Sequence, residues 1–447
     1  MQRYLIKNAF IVNEGNIMPG DVLIEEERIV RTGPQLNPPG SFEEINAEGL
    51  YLLPGVIDDQ VHFREPGLTH KACIYSEARA AVAGGVTSFM EMPNTRPPAL
   101  TQALLEEKYD IGAATSLANY SFFMGVSNDN AEEVIKTNAK KRSVCGVKVF
   151  MGSSTGNMLV DNLLTLEKIF SETELLIATH CENEQIIRNN LQRITAEKGE
   201  ERLTAADHPL IRDEAACFES SFLAVQLAKK FDTRLHILHI TTAEELQLFG
   251  NMLPLADKRI TAEVCVHHLH FTSDDYAALG NRIKCNPAIK APRHREKLWE
   301  ALLDDRLDVI ATDHAPHTAE EKQQPYPSAP AGLPLVQHGL LLMLEYVKKG
   351  SIPLEKVVEK MCHAPAVCFK IRDRGYIREG YYADLVLADL GGSTSVTPEN
   401  LYYKCKWSPF EGHDFPAAIH TTFVNGYPVY GKNGFDESKK GKRLAFL

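Results

Sequence analysis

The sequence predicts an α/β protein in two parts, a (β/α)8 TIM-type barrel over residues 53–374 and a small β-sandwich domain built from both chain ends, 1–52 and 375–447. Three observations predict it. The middle of the chain carries eight short apolar runs separated by longer segments of helical period. Both ends instead read as short strands broken by turn residues. The unusual polar residues of the middle follow its apolar runs, where a barrel of parallel strands gathers its functional side chains.

In order, residues 4–12, 20–24 and 28–31 read as strands, with a turn at Asn13-Glu14-Gly15-Asn16. The stretches 383–388 and 421–430 have the same texture, so the two ends are expected to pair into one small domain. Between them the strand-like runs are 55–61, 86–92, 120–126, 146–150, 175–179, 234–240, 261–266 and 309–312, and helical patterns such as 75–83 and 214–230 alternate with them. An open doubly wound sheet is the weaker option, because no Gly-rich phosphate fingerprint follows the first strand.

The 447 residues and 44% hydrophobic content suffice for one large core and a smaller one. A net charge of -11, with no sustained Lys/Arg block, argues against nucleic acid or an anionic membrane as the main partner, and the basic stretch 439–443 reads as a solvated terminus. No apolar run approaches the roughly 20 residues that span a bilayer. The start, Met1 to Lys7, lacks a signal-peptide core, so a cytoplasmic location is expected. Nine cysteines without a Cys-x-x-Cys pair suit reduced thiols, and none is given a role. The expected partner is a small-molecule substrate; a homo-oligomer is left open.

The chemistry begins in Gly55–Gly67, where a β-branched run ends in a polar cluster closed by Pro-Gly. Strand alternation puts Gln60, His62 and Arg64 on one parity: a doubtful metal ligand, a good one and an anion-binding guanidinium. Further clusters follow later runs: Asn94, Lys148, His180, His239, His267-His268, and Asp313 to His317. One histidine at a strand end is more often a core residue; several, each closing a different strand, favour metal. Imidazole and carboxylate together suit zinc, and the number of candidates favours two ions sharing ligands. His236 and His239 have opposite parity, so only one is expected to face the barrel axis, and His239 is nearer the end. His267 and His268 are expected to be supporting residues. Lys148, amid Val147, Val149 and Phe150, cannot stay charged and unpaired without a cost of several kcal/mol, on the order given for desolvated ions. A neutral amine there can capture carbon dioxide as a carbamate whose two oxygens bridge two metals; a side chain snorkelling to the rim is the alternative.

His62-Phe63-Arg64-Glu65-Pro66-Gly67, Met92-Pro93-Asn94-Thr95 and Ala311-Thr312-Asp313-His314-Ala315-Pro316-His317 resemble the signatures of the dihydroorotase family, in the amidohydrolase superfamily. Supporting matches are Gly146 to Phe150, Thr261 to Val264 with His267-His268-Leu269, Cys285-Asn286-Pro287, and Gly380 to Val386. The resemblance implies the reversible closure of N-carbamoyl-L-aspartate to L-dihydroorotate, a step of pyrimidine synthesis, by a metal-activated hydroxide. His62, Lys148, His180, His239 and Asp313 match the metal set, and Asp313 the general base and acid. Arg64, Asn94, Asn286 and His317 match substrate contacts, and the backbone of Ala331 and Gly332 is expected to close over the ring. Gln60 departs from the family's His-x-His, which puts the ion normally held by both histidines in question. Two other readings are weighed: a hydantoinase- or allantoinase-like hydrolase, for which the Arg64–Asn94 clamp would be a desolvated burden, and a metal-poor homologue serving as a structural partner.

Overall fold

The computed structural model describes residues 2–152 and 158–447; Met1 lies outside the described residues. The eight expected runs become β1 (Val56–Val61), β2 (Val86–Glu91), β3 (Asn119–Phe122, continued by Met124–Gly125), β4 (Val147–Phe150), β5 (Ile177–His180), β6 (Leu235–Ile237), β7 (Ile260–Cys265) and β8 (Val309–Ala311). Neighbouring strands pair in parallel from β1 to β3 and from Met124–Gly125 to β8. Closure comes from a parallel bridge between Val61 and His314, where the His62 amide donates to His314 O at 2.7 Å. Every residue of β1, β2 and β4 is buried, as strands covered on both faces must be.

Helices fill the crossovers, and local chemistry starts them. The Thr101 side chain caps Gln102–Thr115 by accepting from the Leu104 amide, and Asp213 caps Glu214–Phe231 through the Ala216 amide. Gly55 allows the first strand to run against its neighbour: a Cβ there would lie 2.1 Å from Thr87 Oγ1.

Strands from both chain ends form one nine-stranded, mostly antiparallel sheet, giving the barrel its second, β-built part. The junction is Tyr51–Pro54 against Leu385–Asp389, with Leu53 opposite Val386. A buried polar knot ties this sheet to the barrel: Asn119 at the start of β3 donates to Asp384 at 3.2 Å and accepts from Asn425 Nδ2 at 2.8 Å, while Arg374 pairs with Asp384.

Two expectations need correction. The run 234–240 is not one strand, because the ladder ends at Ile237 and His239 takes a left-handed φ of 40°. Parity therefore does not carry from His236 to His239, and both rings turn into the barrel at different depths. In β1 the register slips between Asp58 and Val61, so strict alternation fails there too: Asp58, Asp59 and Gln60 all find partners on distant barrel strands or their ends.

Candidate active site at the barrel mouth

At the C-terminal ends of the strands a cavity of about 280 Å³ is lined by Gln60, His62, Arg64, Asn94, Lys148, His180, His239, Asn286, Asp313, His317, Ala331 and Gly332. The structure thus brings the candidate metal and substrate residues of the sequence to one place, and leaves His267 and His268 outside it. Phe150, Ala315 and Pro330, which carry no polar side chain to mark them in the sequence, complete the wall.

Gln60 Nε2 donates to Asp313 Oδ1 at 3.1 Å, and His62 Nε2 lies 3.2 Å from the same oxygen. His62 Nδ1 donates to Asn94 Oδ1 at 2.8 Å. Burial holds the His62 pKa below its ordinary value, so its ring is neutral and Nε2 presents a lone pair to a carboxylate. Across the cavity His180 Nδ1 and His239 Nε2 stand 3.0 Å apart, and burial depresses the pKa of both. Converging neutral imidazoles and a carboxylate, with lone pairs facing one another, are the state in which such groups bind a metal ion. The donor set therefore fits a metal; Gln60 leaves the His62 side one imidazole short.

Lys148 does not snorkel. It is 1% exposed, its Nζ lies 4.6 Å from the Phe150 ring centroid, and it makes no hydrogen bond or ion pair among the described residues. Burial, partly opposed by Asp313 and Glu263, brings its pKa down to about 7.

Arg64 is buried at the rim. Its Nε donates to Pro316 O at 3.1 Å and Nη2 lies 3.1 Å from His317 Nε2, whose proton is directed to Ala331 O, and Arg64 has no carboxylate partner among the described residues. Burial brings its pKa down to about 10. His317 is itself held by Lys71 Nζ at 2.9 Å from Nδ1. Asn286 Oδ1 lies 3.0 Å from His208 Nε2. Gly332, at φ 140°, admits no side chain: a Cβ would sit 2.3 Å from Ala315 O and 3.0 Å from His317 Cδ2.

Three of the polar residues, Arg64 (φ 70°), His239 (φ 40°) and Asp313 (φ 46°), take the left-handed backbone that bulky side chains avoid. Such strain costs roughly 1–3 kcal/mol per residue and concentrates where function needs a fixed side-chain direction. Glu263 Oε1 holds the His239 amide at 3.0 Å and so supports one of the three. Behind the wall, Glu182 Oε2 lies 3.0 Å from His180 Nε2 and pairs with Arg212. Glu91 accepts from the Phe63 amide and pairs with Lys108. The sequence reading passed over both acids; a carboxylate set in or just beyond an apolar run was the available signal. His267 and His268 do not line the cavity. They sit in the short helix Val266–His270, and His268 Nε2 donates to Pro287 O at 3.2 Å beside Asn286.

Residues 51–429 match the amidohydrolase family. The chain belongs to that family. It is accordingly a hydrolase of cyclic amide C–N bonds. It is 34% identical to a dihydroorotase of Halobacterium salinarum, over 92% of this chain and 93% of that one. It is also 31% identical to an allantoinase of Solibacter usitatus, over 99% and 97%. Among solved structures it superposes on the L-hydantoinase (dihydropyrimidinase) of Arthrobacter aurescens with a TM-score of 0.90 at 26% identity, covering 99% of this chain and 98% of that one.

Proposed function

We propose that this amidohydrolase is a dihydroorotase, interconverting N-carbamoyl-L-aspartate and L-dihydroorotate. The observation that carries the reading is Arg64, a buried guanidinium in the cavity that, among the described residues, donates to one carbonyl and lies beside a neutral imidazole. An uncompensated buried cation is costly, and a substrate carboxylate bound through two parallel hydrogen bonds supplies what the protein withholds. Dihydroorotate carries that carboxylate; allantoin and unsubstituted hydantoin do not.

Zinc is the proposed metal, one or two ions on His62, Lys148, His180, His239 and Asp313, and when bound it acidifies water and polarises a carbonyl. Lys148, with a pKa of about 7, has a large neutral fraction near pH 7; that neutral amine adds to carbon dioxide and loses a proton, giving a carbamate that places an anion at the cavity floor. Asp313 is positioned through Oδ1 by Gln60, leaving Oδ2 without a hydrogen-bond partner among the described residues. That oxygen takes the proton of the attacking water and returns it to the departing ring nitrogen. Asn94 orients His62, and Asn286, His317 and the Ala331–Gly332 backbone enclose the ring.

The test is turnover by the zinc-loaded protein of N-carbamoyl-L-aspartate, L-dihydroorotate, allantoin and hydantoin. Ring closure and opening of the first pair should dominate; a higher kcat/KM for allantoin or hydantoin would assign the cavity to those substrates instead.

A further inference from the structure

Beneath the mouth lies a polar cluster that the proposed reaction does not use. Asp59 on β1, His236 on β6 and Glu263 on β7 meet inside the barrel, each 0% exposed. Their ligand atoms lie within 4.8 Å of one another. None of the three lines the cavity.

Four atoms of this cluster have no hydrogen-bond partner among the described residues: both Asp59 carboxylate oxygens, His236 Nε2 and Glu263 Oε2. Buried polar atoms are nearly always paired, so four converging orphans need a physical reason. The rest of each side chain is anchored. The Thr261 hydroxyl donates to Leu235 O at 3.3 Å and so accepts from His236 Nδ1 at 2.7 Å, which directs Nε2 toward the two acids. Glu263 Oε1 accepts from the His239 amide at 3.0 Å and the Cys265 thiol at 3.2 Å, which fixes Oε2 toward His236. The Phe369 ring, 5.4 Å from the His236 ring at 66°, holds the imidazole plane.

A proton on Nε2 is held here by the two acids without a straight hydrogen bond: burial opposes it, but Asp59 and Glu263 outweigh burial and raise the His236 pKa to about 9. Asp59 Oδ2 is 3.1 Å away but off the line of a hydrogen bond, and Glu263 Oε2 is 3.7 Å away. We propose that Asp59, His236 and Glu263 form a second, deeper site for a first-row divalent cation, separate from the metal set at the mouth. Two carboxylates carry the charge that a divalent ion cancels, and the four orphan atoms supply four donors once the ion takes the place of the Nε2 proton. An imidazole whose other nitrogen is tied to a hydroxyl is the arrangement that orients metal-bound histidines. Imidazole mixed with carboxylate suits zinc.

The test is an anomalous map at the zinc edge from crystals of the full chain produced and crystallised with zinc chloride, together with zinc counts on the dialysed protein. The expected result is a peak about 2.0–2.2 Å from Asp59, His236 Nε2 and Glu263. It should persist in Lys148→Ala, which disturbs only the mouth. Asp59→Asn should lose one zinc equivalent; should that variant fold poorly, Glu263→Gln should lose the peak at this position, read from the map because Glu263 also holds the His239 amide. Absence of a peak at this position in wild-type crystals, a zinc count unchanged in a folded Asp59→Asn protein, or a peak kept at this position in Glu263→Gln, overturns the proposal. The map is read without reference to which ring the cavity opens, so this inference and the proposed reaction stand or fall separately.

Discussion

At the scale of single residues, Lys148 and Arg64 share one physical feature: each is a basic group buried in the cavity with no carboxylate partner among the described residues. The answer proposed for each is different, a change of chemical form for the lysine and a bound anion for the arginine. Lys148→Ala is expected to lower turnover by on the order of 10²–10³-fold or more, the scale of losing one preorganised electrostatic group. It should also lower the metal content of the mouth, with partial recovery on adding small carboxylic acids and zinc. Near wild-type turnover in that variant would remove the bridging role. His62, His180, His239 and Asp313 were legible in the sequence because each ends or follows an apolar run, and Lys148 because it interrupts one. Asp59 was not, since a register slip in β1 turns a residue of the wrong parity inward. His236 was set aside for a similar reason: the alternation used to choose His239 stops at Ile237.

At the scale of elements, the site depends on loops that are braced rather than free. The segment carrying Ala331 and Gly332 is pinned by three contacts: the Gly332 amide donates to Lys284 O at 2.8 Å, the His317 ring pairs with Ala331 O at 2.9 Å, and the Ala315 amide donates to Leu333 O at 2.8 Å. Gly332→Ala forces a Cβ into the Ala315 carbonyl while keeping φ at 140°. We expect it to raise KM for dihydroorotate at least several-fold and to cost roughly 1–3 kcal/mol in stability, the scale of one strained backbone position. Steady-state kinetics and urea denaturation would check both, and unchanged values would mean that the loop rearranges without loss. From the sequence alone this loop was as readable as an ordinary surface turn, because Pro and Ala carry no chemical signal. Its role becomes visible only when β8 brings Ala315 and His317 beside it.

At the scale of the whole molecule, the two-part design was legible because chain ends and middle differ in period. The partners that weld them were not, because Asn119, Asp384 and Asn425 are far apart in sequence. The interior also holds many neutral histidines. Burial lowers His208, His317 and His338 to about 3 and His267 and His270 to about 4, from 6.5. As pH falls below 6.5 the unfolded chain takes up protons at these rings that the folded chain refuses, so stability is lost toward pH 4. Burial of Asp58 works the other way: its carboxyl, raised to about 8 from 3.8, keeps its proton when folded and favours the native state at low pH. Glu263, raised above its ordinary value by burial and Asp59, adds to that side. His236, raised to about 9 by Asp59 and Glu263, also favours the native state at low pH. The five lowered imidazoles outweigh these three groups, so the urea midpoint of the zinc-free protein should fall between about pH 7 and about pH 5. A flat or rising midpoint over that interval would contradict the assignment of neutral buried rings.

The measurement that bears most directly on the account is the ratio of kcat/KM for L-dihydroorotate to that for dihydrouracil, the same ring without the carboxylate, in wild type and in Arg64→Gln. The account predicts a strong preference for dihydroorotate in the wild type. Losing the charged partner of a buried carboxylate costs about 3–5 kcal/mol, so the ratio should collapse by on the order of 10²-fold or more in the variant while dihydrouracil turnover changes little. A ratio near unity in the wild type, or one that survives the loss of Arg64, would contradict it.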